Sequence, residues 1–212
     1  MNKMKTNLGW ITAGVLGGVL IFSGFGQAQE KFGVVDLNRM LAESKLGKRN
    51  TEAMKSAIAS REALLAFMND YPILTEEQAL ALKGLSVKPV MTEAEKKQEE
   101  QIKNDIKADG KLFNDLNQKP NPTEAERSKL SEFNKRGGDT QRRLQQWKNM
   151  FNQDISDLGK ELQKTEITNA KAALDEVAKK GGYSIVLELQ VAPYGANDVT
   201  DEGIKALDAK TN

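Results

Sequence analysis

The chain carries two strand-like runs, one near each end, with long stretches of helical spacing between them. "KFGVVD" (Lys31 to Asp36) and "YSIVLELQV" (Tyr183 to Val191) are short and rich in β-branched residues, the composition that suits a pleated, half-buried surface. An isolated strand leaves its amides and carbonyls unpaired, so the two runs are expected to meet in one small sheet. Everything between them then has to leave that sheet as a helical excursion and return. Thr200 is predicted to cap a short final helix, "DEGIKALDAK". Before it, "APYGANDVT" is predicted to turn at Pro193 to Gly195 into a further strand.

Two long helices frame the excursion. From Leu37 to Asp70 the residues Thr51, Met54, Ile58, Arg61, Leu65 and Met68 step by three and four, a stripe interrupted by one arginine. Tyr71-Pro72 ends it, because a residue before proline is pushed out of the helical region. The second helix is expected over Thr140 to Lys180. Leu144, Trp147, Phe151, Ile155, Leu158 and Leu162 form its stripe, and Ala170, Leu174 and Val177 continue it after a slip in phase around Thr165. "KKGG" closes it with basic residues followed by glycine. At 1.5 Å per residue the two helices would measure roughly 50 and 60 Å.

The middle, Pro72 to Gly138, is broken. Thr75 with Gln78, Thr92 with Glu95, and Thr123 with Glu126 are three capping boxes, and Pro72, Pro89, Pro120 and Pro122 stop the segments before them. Two of the boxes share the tetrapeptide Thr-Glu-Ala-Glu, each shortly after a Lys-Pro. Two copies in dissimilar surroundings fall short of a repeat array, so they read as helix starters. "RGGD" (Arg136 to Asp139) is expected to be one more break. The predicted class is α+β, mostly α. Residues 29–36 and 183–212 would make a β-body with a short C-terminal helix, and 37–182 a helical arm whose tip, 72–138, is elaborated. The terminal pieces together hold fewer than the roughly 40 residues that usually sustain a core alone. Oligomerisation is inferred from that shortage.

The N-terminus reads as a secretory signal over residues 1–28. Lys3 and Lys5 precede an apolar run, Leu8 to Phe22, and Gly26 and Ala28 are the small residues of a cleavage site. The run is short and glycine-rich against the ~20 residues of a membrane span. Cleavage after Ala28 is therefore the expectation, with an uncleaved anchor as the alternative.

Composition removes most catalytic chemistry. There is no cysteine and no histidine, so thiol nucleophiles, the commonest zinc ligands and the commonest general base are absent. No constellation of the remaining side chains points to catalysis, a metal, a cofactor or a small-molecule substrate. A net charge of +1 gives no argument for nucleic acid. One segment is basic: Arg127, Lys129, Lys135, Arg136, Arg142, Arg143 and Lys148 face only Glu132 and Asp139, with Phe133 and Trp147 interleaved. Phe133, Arg136, Arg142, Arg143, Trp147 and Lys148 are thus candidates to meet an extended partner or a phosphate-rich membrane surface. The plainer reading is a solvated helix face whose aromatics pack on a neighbouring helix.

Two end segments carry a family resemblance. "KFGVVDLNRMLAES" and "GGYSIVLELQVAPYGANDVTDEGIKALD" resemble the Skp/OmpH family of periplasmic chaperones. The family's C-terminal strand falls on Ile185 to Leu189, its tyrosine on Tyr194, its acidic-Val-Thr step on Asp198, Val199 and Thr200, and its Ile-x-x-Leu pair on Ile204 and Leu207. The resemblance implies a homotrimer whose terminal strands share a body, here through Val34, Val35, Ile185, Val186, Leu187, Leu189 and Tyr194. It implies a periplasmic holdase that needs no ATP and keeps unfolded outer-membrane proteins from aggregating. A trimeric coiled-coil spacer or tether of the envelope, without clients, is the alternative. The family's simplest arm is one helical hairpin, and its better-known members are strongly basic. The broken middle and the near-neutral charge set this chain apart.

Overall fold

The computed structural model describes residues 20–21, 31–194 and 197–210. In chain order its elements are β1 (Leu20–Ile21), β2 (Phe32–Val35), α1 (Leu37–Glu43), α2 (Lys45–Asp70), α3 (Glu76–Ser86) and α4 (Glu93–Asn117). They continue with α5 (Glu124–Gly181), β3 (Ile185–Glu188) and α6 (Thr200–Lys210). The chain is mostly helical, with one small sheet, as the sequence pattern requires. β3 is central. It pairs in parallel with β2, Phe32 facing Ile185 and Val35 facing Glu188, and antiparallel with the two residues of β1. Leu20 and Ile21 apart, the predicted signal segment lies outside the described residues, as does Gly195.

The chain divides into two compact units: one runs to Met54 and resumes at Asp157, and the other is Lys55–Ser156. In the first, Val35 and Val186 come from the sheet and Met40 from α1. Leu46 of α2, Ala170, Leu174 and Ala178 of α5, and Leu207 of α6 complete a single core with them. The terminal strands are thus not left to make a core alone, because two long helices contribute their ends to it.

Four expectations fail here for local reasons. The helix expected over Leu37 to Asp70 is interrupted at Ser44, whose ψ of 154° is extended. The Ser44 hydroxyl accepts from the Gly47 amide at 3.0 Å and donates to the Leu41 carbonyl, so this serine starts α2 as an N-cap. Gly47 is obligatory there, since a Cβ would stand 1.7 Å from the Leu41 oxygen. The C-terminal strand stops at Glu188, before the expected Val191, because the amides of Val191 and Ala192 turn back to the Glu188 carbonyl. The further strand expected after Pro193 is reduced to one bridge, Val34 with Asp198. Thr200 is the first residue of α6 rather than its cap. Its amide donates to Asp198 Oδ1 at 2.9 Å.

The second unit has its own core. Leu64 and Met68 of α2, Leu82 of α3, Ile106 of α4, and Trp147 and Phe151 of α5 pack in one cluster, and Ile73, Leu116 and Phe133 in another. The three capping boxes form as predicted. Thr75, Thr92 and Thr123 each accept from the amide three residues on, and Gln78, Glu95 and Glu126 each accept from the threonine amide. "RGGD", by contrast, does not break the chain: α5 passes through it. Each glycine costs a helix interior about 0.5–1 kcal/mol, but Phe133 before the pair and Thr140 after it are fully buried. Arg136 pairs with Glu132, and Arg142 with Asp139, so both flanks hold the helical phase. The end of α5 follows expectation, with Lys179 and Lys180 in its last turn and Gly182 at φ 67°.

Candidate functional site

In the first unit, alternation along β2 and β3 sorts the candidate body residues onto two faces. Val35 and Val186 point to the helices and are buried in the core, and Glu188 is buried with them, accepting from the Gln190 amide. The register puts Phe32, Val34, Ile185 and Leu187 on the opposite face. Val34 is buried, its amide donating to the Asn197 carbonyl at 2.8 Å, while Ile185 and Leu187 are half-buried. Phe32 is 45% exposed. Leu189 is half-buried just beyond β3. Tyr194 is 98% exposed, and Val191 stands out beside it in sequence at 57%. Phe32, Val191 and Tyr194 thus leave apolar area exposed on this unit. Phe32 and Val191 were not among the candidates. The signal for Phe32 was available: it alternates with Val34 in a run too short to bury both faces.

The other edge of β2 is covered. Val34 exchanges hydrogen bonds with Asn197 and Val199, and the Asn197 side chain donates to the Phe32 carbonyl. β3 meets β1 on its remaining side.

In the second unit the basic segment is knitted into its own helices. Phe133 is fully buried, edge-on to Phe113 at 5.7 Å, with Lys129 and Arg136 over its ring. Trp147 is buried against Phe151, with Lys83 above it at 5.5 Å. Arg136 bridges Asp109 of α4 and Glu132. Hydrogen bonds from Lys129 and then Arg136 hold the Glu132 carboxyl below its usual range. Arg143 is within 4.0 Å of Glu76 of α3. Arg142 is largely exposed, and Lys148 half-buried. The two aromatic rings are therefore interior packing of this unit, and its outward groups are the charged ones.

The repeated Lys-Pro-x-x-Thr-x-x-Glu stretches hold a contact that spacing alone did not reveal. Lys88 donates to Glu95, and Lys119 to Glu126 at 2.7 Å, so each lysine reaches across its proline to the acid of the following capping box. The Lys88 ammonium and the Thr92 amide pull Glu95 down to about 2. Lys119 and the Thr123 amide lower Glu126 in the same way. The motif thus fastens a turn to the helix it starts, α4 in one case and α5 in the other.

Among the described residues no group of three or more acidic side chains could hold a metal ion. No described helix is long and apolar enough to cross a membrane. Residues 31–207 match the family model described as Outer membrane protein (OmpH-like). Neither the curated proteins nor the solved structures yield a match.

Proposed function

From a chain that belongs to the OmpH-like family of outer membrane proteins, we propose a periplasmic holdase. It binds unfolded outer-membrane proteins without ATP and keeps them from aggregating on their way across the periplasm. The observation that carries this is the extent of the family match. It runs from the first core strand through every helix of both units to Leu207 in α6.

The physical demand on such a protein is modest but specific. An unfolded barrel strand exposes alternating apolar side chains and unpaired backbone groups, which aggregate by edge pairing. Many weak contacts on several helical units, acting together, retain such a chain through avidity while leaving each contact reversible. We assign the multiplicity to a homotrimer assembled through the uncovered sheet face of Phe32, Ile185 and Leu187, together with Leu189 and Tyr194. Val35 and Val186 support that face from within the protomer, and Val34 lies on it already buried. Residues 1–28 act as the export signal. On the helical unit, Arg142 and Lys148 offer charged contacts at the surface, while Phe133 and Trp147 fix the helices that present them.

The test is dilution of a urea-unfolded outer-membrane barrel into buffer with the mature protein at one trimer per client, followed by light scattering. Suppressed scattering without nucleotide is expected. Unchanged scattering, with the protein fixed to envelope material and no client crosslinks, would leave a structural spacer in its place.

A further inference from the structure

The second unit contains a cleft of about 570 Å³ where the end of α2 and its following loop face α4. That is within the ~300–1,000 Å³ of sites that enclose a small ligand or a side chain with its flanking peptide groups. Two aromatic rings line it, and neither is loose. Tyr71 rests on Phe67 with centroids 5.0 Å apart, and Phe113 meets the buried Phe133 edge-on. Gly110, one turn before Phe113 on α4, keeps the space open beside them. A Cβ there would make only ordinary contact with Tyr71, at 3.5 Å, so packing does not demand glycine at this helix-interior position.

The rim is charged in a balanced way. Lys107 and Lys111 stand on α4 with Asp115, and Asp70 ends α2. All four are exposed, and among the described residues none of them forms an ion pair. This unit pairs many of its other charges, including Lys103 with Glu99 and Arg136 with Asp109. Two cations and two carboxylates left open select neither an anion nor a cation. They do match the peptide group, which presents a carbonyl to an ammonium and an N–H to a carboxylate.

We propose that this cleft is a docking site for an extended, uncharged polypeptide segment carrying an aromatic side chain. The ring enters between Tyr71 and Phe113, and Lys107, Lys111, Asp70 and Asp115 satisfy the main-chain groups on either side. The proposal rests on the holdase reading and names where on the helical unit a client is gripped. Apolar floor and polar rim together answer the two exposed features of an unfolded strand, its alternate side chains and its unpaired backbone.

The experiment uses the full mature chain and a fluorescein-labelled decapeptide alternating tyrosine or valine with threonine, followed by anisotropy. Gly110→Leu fills the cleft and removes glycine's cost to the helix, so its thermal midpoint should equal or exceed that of the parent protein. Its affinity for the peptide should fall about tenfold. A Lys107→Ser and Lys111→Ser double variant, which leaves the packing alone, should weaken binding roughly threefold, and decides the matter if Gly110→Leu unfolds early. Parent-like affinity in a folded Gly110→Leu overturns the cleft, as does a parent protein that suppresses barrel aggregation without binding the peptide. In both cases the holdase reading stands. A parent protein that neither binds the peptide nor suppresses aggregation removes both.

Discussion

The backbone amide of Asp36 donates to the hydroxyl of Thr200 at 2.9 Å, joining residues 164 positions apart. That hydroxyl also donates to Asp198, and the Asp36 carboxylate accepts the Arg39 amide at 2.8 Å to cap α1. One threonine, fully buried, therefore ties the exit from β2 to the start of α6. Thr200→Val keeps the shape but leaves the Asp36 amide without its acceptor. A loss of about 1–3 kcal/mol is expected, read as a lower urea midpoint, and Thr200→Ser should recover most of it. Equal midpoints for Thr200→Val and the parent would show that the amide finds another acceptor.

Gly47→Ala should be among the most damaging single-methyl changes in the first unit. The added Cβ would collide with the Leu41 backbone oxygen, which cannot swing aside as a side chain would. Relief requires opening the Ser44 turn that joins α1 to α2 and separates Met40 from Leu46, both in the core. A destabilisation of about 3 kcal/mol or more is expected. Thermal unfolding checks it. A midpoint within a degree or two of the parent would mean that the helices refit without Ser44's cap.

The pattern of the chain announced what depends on neighbours in sequence. Thr75, Thr92 and Thr123 start helices because each box closes over three residues, and Tyr71-Pro72 and "KKGG" stop helices by equally local chemistry. The pairing of the terminal strands was also legible, since neither could satisfy its backbone alone. What escaped depends on packing from afar. Gly137 and Gly138 stay helical because Phe133 and Thr140 are buried on either side, and no local propensity encodes that. Ser44 breaks the expected helix ahead of its apolar stripe, through a Ser-x-x-Gly spacing that a search for apolar periodicity passes over. At the candidate site, packing is the plainer reading of interleaved Phe133 and Trp147, and both are buried. Tyr194 stood out on its turn. Phe32 was legible too, as the residue that alternates with Val34 in a run too short to bury both faces.

The lysine of each Lys-Pro stretch should be visible in the titration of an acid seven residues on. Glu95 sits at about 2, first through Lys88 and then through Thr92. Its folded value is depressed, so the stabilisation it represents is complete above the unfolded carboxylate range and is lost as pH falls toward 2. Lys88→Met should move the Glu95 carbon resonance's midpoint upward, partway to the ordinary 4.5, because the Thr92 amide bond remains. Lys119→Met should do the same for Glu126. Midpoints indifferent to either lysine would reduce the shared Lys-Pro to a helix stop.

Glu166 should give the opposite pH dependence. It is 6% exposed on α5 and accepts from the Asn50 side chain of α2 at 2.9 Å. Burial raises its value above the ordinary 4.5, and the Asn50 bond offsets only part of that. With the folded value above the unfolded one, the folded protein binds more protons between the two. Stability therefore falls as pH rises through that window and stays lower above it. Glu166→Gln keeps an acceptor for Asn50 and removes the charge, so it should raise the urea midpoint at pH 7 and flatten the slope between pH 4 and 7. A variant that is no more stable at pH 7 would show that the carboxylate is solvated there.

The uncovered face of the sheet should decide the state of association. Phe32 and Tyr194 expose apolar rings at 45% and 98%, while the core beneath is complete within one protomer. Replacing both with serine thus touches little that holds the protomer together. In an assembly that buries both rings, Phe32, already half-covered, would contribute about 2 kcal/mol and Tyr194 about 3 from their apolar area. Phe32→Ser with Tyr194→Ser should therefore weaken self-association by at least about a hundredfold, while the thermal midpoint at low concentration changes by only a few degrees. Sedimentation of parent and variant over a range of concentrations reads this directly. A parent chain that sediments as a monomer throughout would remove the shared body, and a variant that stays assembled would move the interface away from this face.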